Sequence, residues 1–100
     1  MRVRFTPQAA KQYLDALRTL RTKNAAGAAT VQQRTEAVVD VLREHPHAGQ
    51  VIPEFPELPH REIPAPPYRL FYRVVDDTVW IVAVSHARRR PGRPESAFPG

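Results

Sequence analysis

The sequence predicts a single α+β domain in the order β-α-α-β-β-β, an antiparallel sheet packed on a two-helix hairpin. Three observations point there. Two consecutive stretches carry apolar residues at helical spacing, each with one apolar face only. Residues 68–75 and 78–86 are rich in β-favouring side chains and flank a two-residue link, Asp76-Asp77. With 100 residues and 42% hydrophobic content, the chain can bury one modest core. The domain is expected over residues 1–94, with 95–100 a loose tail beyond the stops Pro91, Gly92 and Pro94.

The elements follow in order. Val3 and Phe5 alternate with Arg2 and Arg4, as in a short strand with one buried face. Thr6-Pro7 starts a helix, Thr6 as N-cap and Pro7 in the first turn. Ala10, Tyr13, Leu14, Leu17 and Leu20 form its apolar stripe, and it should end near Lys23-Asn24. A second helix begins either at Asn24 as cap or at Thr30, where Gln33 would close a capping box. Val31, Thr35, Val38 and Leu42 form its stripe, and Pro46 ends it.

Residues 45–67 hold seven of the eleven prolines. Prolines lack the N–H that a central strand needs, so an ordered extended loop is expected, with a brief strand at Arg61-Glu62-Ile63. Pro53, Pro56 and Pro59 nominally make PxxP motifs, but a stiffened connector accounts for them. If Asp76-Asp77 is the hairpin turn, paired residues have numbers summing to 153. Arg69 then faces Val84, Phe71 faces Val82 and Arg73 faces Trp80, with His86 on that same face. Leu70, Tyr72, Val74, Val79, Ile81 and Ala83 form the other, apolar face, which should receive the helices. The Arg69 face should stay open to a partner. A one-residue slip would exchange the faces.

The net charge is +5 and the sequence pI about 10.4, almost all from arginine, since Lys11 and Lys23 are the only lysines. Arginine binds phosphate and carboxylate bidentately, so an acidic partner is implied. The chain has no cysteine, which removes disulfides and thiolate metal sites and fits a reducing cytoplasm. No apolar run suits a signal peptide or membrane span. No Walker loop, GxGxxG, HExxH or GxSxG occurs, and His45 and His47 have no carboxylate at ligand spacing. No metal or cofactor is expected.

What remains is the cluster Arg61, Arg69, His86, Arg88 and Arg89. Metal-free RNA cleavage needs a base, an acid and cations around the crowded phosphate. Arginines suit the last role and a histidine either of the first two. The plain alternative is that Arg69 and Arg73 are ordinary sheet arginines, with Arg73 stacked on Trp80 and His86 a polar strand end.

Several runs make the chain resemble a known family. They are Thr6-Pro7-Gln8-Ala9-Ala10, Leu42-Arg43-Glu44-His45-Pro46-His47-Ala48-Gly49, Arg61-Glu62-Ile63, Tyr68-Arg69-Leu70-Phe71-Tyr72-Arg73-Val74 and Val82-Ala83-Val84-Ser85-His86-Ala87-Arg88-Arg89. In that order, across about residues 3–90, they resemble the RelE/ParE superfamily of bacterial type II toxins. The resemblance implies a toxin held inactive by a cognate antitoxin, touching DNA only indirectly through that antitoxin. ParE-like members poison DNA gyrase without being enzymes. RelE-like members cut messenger RNA on the ribosome, with arginines matching Arg69 and Arg88 or Arg89 on the scissile phosphate. The RelE lysine pair would fall near His60 and Glu62 and is absent; His60 or His86 would have to substitute. No tyrosine follows the last strand, and the His-Ala-Arg-Arg ending looks more ParE-like. Catalytic residues, if the chain is a ribonuclease, would be Arg69, His86, Arg88 and Arg89. A target surface would draw on Arg61, Arg69, Arg73, Arg88, Arg89 and Arg90.

Overall fold

The computed structural model describes residues 1–94, so the expected tail at 95–100 lies outside the described residues. The chain runs β1 (Arg2–Phe5), α1 (Pro7–Lys23), α2 (Ala25–Glu44), β2 (Gln50–Val51), β3 (Arg61–Ala65), β4 (Tyr68–Val75) and β5 (Thr78–His86). The five strands form one sheet in the order β1-β5-β4-β3-β2. All neighbours are antiparallel except β1, which lies parallel to β5. The α+β architecture is the expected one. The parallel edge and the two-residue β2 are additions to it.

Local chemistry explains the helix limits. The Thr6 side chain accepts from the Ala9 N–H at 3.2 Å, and Pro7 opens α1, where its missing donor costs nothing. Asn24 alone joins the helices. Its N–H donates to the Leu20 carbonyl at 2.6 Å, closing α1, while its Oδ1 accepts from the Gly27 N–H at 3.0 Å, opening α2. Of the two starts considered for α2, Asn24 is the one used. Thr30 sits inside the helix, its hydroxyl bonded back to the Ala26 carbonyl. The last turn closes through the His45 N–H on the Val41 carbonyl, just before Pro46.

The helices cover one face of the sheet. Ala9, Leu42, Ala65, Leu70, Tyr72, Val79 and Ile81 form that core. Gly49 is locked beneath α2's exit. Its N–H donates to Tyr72 Oη at 2.8 Å, and an added Cβ would collide with the Glu62 carbonyl oxygen and the Tyr72 ring. The Pro-His-Ala-Gly turn is therefore a packing device. Burial pushes the Tyr72 hydroxyl pKa up, against the lowering effects of the Gly49 backbone and the Arg61 charge.

Two expectations about the hairpin are corrected. The first concerns register. The pairing that sums to 153 holds from Val75↔Thr78 to Tyr72↔Ile81, then shifts by one to Phe71↔Ala83, Leu70↔Val84, Arg69↔Ser85 and Tyr68↔His86. Val82 is the extra residue, a β-bulge. The shift occurs where β1 ends: Phe5 pairs with Ile81, and the Thr6 N–H donates to the Ile81 carbonyl at 2.9 Å. Beyond that point β5 turns toward α1, where the Val84 N–H meets Gln12 Oε1 at 2.8 Å. Val84 thus packs on the helix-side core and Ala83 on the opposite cluster, the reverse of the simple alternation.

The second concerns the supposedly open face. Ile52, Phe71 and Val82 are buried there, with Phe55, Trp80 and Ala83 packed around them. The proline-rich loop after β2 folds over the sheet through turns closed by Phe55 N–H on the Ile52 carbonyl and Leu58 N–H on the Phe55 carbonyl. Fully burying side chains of the size of Ile52 and Phe71 is worth about 1.5–3 kcal/mol each. That gain orders a loop whose prolines keep it from forming a strand.

Candidate functional site

The residues singled out from the sequence separate into three places. The first is Arg69, on the loop-covered face. Its guanidinium spans Glu54, with Nη1 on Oε1 at 3.1 Å and Nη2 on Oε2 at 2.9 Å, and Nη1 also reaches Glu62 Oε2 at 2.8 Å. Its guanidinium carbon lies 5.2 Å from the Phe71 ring centroid. Only 16% of the side chain is exposed. The hydrogen bond from Arg69 holds the Glu54 carboxyl below its ordinary range, and Arg90 adds a smaller pull of the same sign. Arg69 is correspondingly raised, chiefly by Glu54. An arginine clasped by two carboxylates has its charge compensated and both terminal nitrogens engaged, while its buried Nε has no hydrogen-bond partner among the described residues.

The second place is the groove beside α1, about 390 Å³, lined by residues that include Gln12, Asp15, Tyr68, His86 and Arg89. His86 stands edge-on to the Tyr68 ring, with centroids 5.5 Å apart, and its Nδ1 accepts from the Arg88 N–H at 3.1 Å. The expectation that His86 shares a face with Arg69 is overturned. The bulge at Val82 turns His86 to the α1 side, and the sheet stands between the two. Arg88, Arg89 and Arg90 follow in an exposed turn, pinned by the Ala87 N–H on the Pro67 carbonyl and the Arg89 N–H on the His86 carbonyl. Of them, Arg89 joins His86 in the groove.

The third place is the start of β3. Arg61 donates through Nη1 to the Gly49 carbonyl at 2.8 Å. Arg73 sits opposite Trp80 and, with Arg61 and His47, lines a small cavity. His60, considered as a stand-in for a catalytic lysine, is only 2% exposed, so RNA could not reach it without the loop opening.

Sequence reasoning missed Glu54 and Gln12. Glu54 meets Arg69 across fifteen positions and Gln12 meets Val84 across seventy-two, and nothing in local spacing signals contacts at such separations. Among the described residues no group of three or more His, Cys, Asp or Glu is arranged to hold a metal ion, and no helix is long and apolar enough to cross a membrane.

The model of the ParE toxin of type II toxin–antitoxin systems (parDE) matches residues 3–91. The chain belongs to the ParE toxin family. A solved chain described as the chromosomal ParDE toxin–antitoxin system from P. aeruginosa has the same fold as this ParE-family chain, with a TM-score of 0.69 at 19% identity. The match covers 86% of this chain and 95% of that one. No curated protein sequence matches it. The ParE-family match takes in every candidate site arginine and histidine named above, since all lie between residues 3 and 91.

Proposed function

We propose that this ParE-family toxin inhibits growth by binding and poisoning DNA gyrase in the cytoplasm, without catalysing a reaction, and that a cognate antitoxin neutralises it. The observation carrying this reading is the separation of Arg69 from His86. A ribonuclease of the kind considered needs a cation and a proton-transfer group around one phosphate. Here Arg69 is held by Glu54 and Glu62 on one face of the sheet, and His86 faces α1 on the other. Binding a protein target makes no such demand. The +5 charge and the exposed Arg88-Arg89-Arg90 turn suit an acidic, amphipathic antitoxin segment.

The test is a supercoiling and cleavage assay with purified gyrase. Linear plasmid should accumulate as the chain is added, and unchanged gyrase activity at micromolar chain would refute the proposal. A second reading, messenger RNA cleavage on the ribosome, draws on the groove that His86 shares with Arg89, Tyr68 and Asp15. It requires cut transcripts during expression that become intact on His86→Ala. Transcripts left whole in growth-arrested cells would eliminate it.

A further inference from the structure

The groove beside α1 has Gln12 and Ala16 on one side and Tyr68, Val84, His86 and Arg89 on the other. Its volume, about 390 Å³, falls within the range of about 300–1,000 Å³ usual for sites that hold small groups. Two of these side chains have an acceptor atom already taken by the backbone. The Val84 N–H donates to Gln12 Oε1 at 2.8 Å, which leaves the amide NH2 as the end that can meet a ligand. The Arg88 N–H donates to His86 Nδ1 at 3.1 Å, which puts the proton of the neutral ring on Nε2.

Arg89 adds a guanidinium, which donates and never accepts. It is exposed and enters no ion pair among the described residues. The one carboxylate lining the groove, Asp15, is already balanced. Lys11 Nζ lies 2.7 Å from its Oδ2 and Arg18 Nη1 3.5 Å from its Oδ1. The hydrogen bond from Lys11 holds Asp15 below its ordinary carboxylate range, so Arg89 is left as the uncompensated charge of the lining. Ala16, Val84 and the Tyr68 ring supply apolar wall. The complement to such a lining is a group rich in acceptors, with one negative charge, on a short apolar stem. A carboxylate side chain has all three properties. A phosphodiester brings two sugars with it, and a phosphate monoester brings a second negative charge toward Asp15.

We propose that this groove is a socket for one carboxylate side chain of an acidic peptide partner, with Arg89 forked onto the carboxylate and Gln12 and His86 donating to it. A guanidinium matches the paired oxygens of a carboxylate with two parallel N–H···O bonds. Ala16 and Val84 take the methylene stem of the aspartate or glutamate. The proposal deepens the reading that an acidic antitoxin segment neutralises this chain, and rests on that reading only for the identity of the partner. It does not depend on which macromolecule the toxin inhibits.

The experiment is an amide NMR titration of the full chain with the blocked tripeptide Ac-Ala-Glu-Ala-NH2, with ionic strength held constant by chloride. The matching glutamine peptide, Ac-Ala-Gln-Ala-NH2, is the control. Saturable shifts from the glutamate peptide should centre on residues 12, 16, 68, 84, 86 and 89, and the glutamine peptide should leave those amides unmoved. Arg89→Gln, at an exposed position that the fold does not need, should weaken binding about tenfold for the loss of charge-assisted bonds. Gln12→Glu is the sharper variant. It keeps an oxygen for the Val84 N–H but replaces the donor NH2 with a second acceptor, so the fold should hold and binding should be lost. Arg4→Gln, exposed on β1, should change nothing. Shifts that never saturate, equal shifts with the glutamine peptide, or binding undiminished in Gln12→Glu would overturn the socket. Glutamate-dependent shifts confined to residues 88 and 90 would also overturn it, while leaving the acidic-antitoxin reading standing. Inorganic phosphate that saturates the groove amides where the peptide does not would assign the groove to a phosphate and refute the carboxylate.

Discussion

Replacing Arg69 tests whether that arginine is a structural clasp or a free binding group. Arg69→Ala removes three hydrogen bonds to carboxylates and leaves Glu62, whose side chain is 17% exposed, without its cation. Breaking a fully buried pair costs about 3–5 kcal/mol, and an exposed pair is worth at most about 1. Arg69 and Glu62 lie between these limits, nearer the buried one, while Glu54 at 36% exposure lies nearer the other. The expected loss is about 2 kcal/mol for Arg69→Ala and about 0.5 kcal/mol for Glu54→Gln. For a domain of this size 1 kcal/mol moves Tm by about 4–8 °C, so Arg69→Ala should melt roughly 10 °C early. Thermal unfolding followed by circular dichroism measures this. Trp80, the one tryptophan, packs beside the loop and reports loop release by fluorescence.

The pH dependence has a definite sign. Glu54 is held low in the folded state, so its contribution is present above the ordinary carboxylate range and is lost as pH falls through the folded value. The gap between the parent chain and Glu54→Gln should therefore close on acidification. If Arg69→Ala melts with the parent chain yet abolishes growth inhibition, the clasp is not structural and Arg69 belongs to the target surface.

Three further outcomes follow from the packing. Gly49→Ala should destabilise by about 1–3 kcal/mol, because its methyl group meets the Glu62 carbonyl and the Tyr72 ring; denaturant unfolding measures it. Tyr72→Phe should cost about 1–3 kcal/mol in the same experiment by stranding the buried Gly49 N–H, and faster amide exchange at Gly49 would locate the loss. Asn24→Ala should cost about 1 kcal/mol and reduce helical circular dichroism, because one side chain caps the helix that its own backbone separates from α1.

The strand limits of the hairpin, the Thr6 cap and the proline stop after His45 were legible because each depends on neighbouring residues. The candidate site was legible only as a set of residue types. Its placement failed at one residue, Val82. Counting back from Asp76-Asp77 assigns His86 correctly only if no residue is inserted. The insertion occurs where β1 and Thr6 release β5, a contact more than seventy positions away in the chain. Similarly, the proline content forecast an ordered loop but not what it would cover. That followed from Phe71 and Val82, whose apolar surface on the second face needed burial and found Ile52 and Phe55.

By itself the sequence determined the α+β class, the order of elements, the basic charge and the family motifs. These rest on periodicity, capping and turn chemistry within a few residues. The tertiary structure alone decided which arginines can meet a ligand. It closed Glu54 and Glu62 on Arg69 and turned His86 to the helices, where it shares a groove with Gln12 and Arg89. The reason is physical. A charged side chain's availability is set by its neighbours in space, and a sheet with period two exchanges its faces whenever a single residue is inserted.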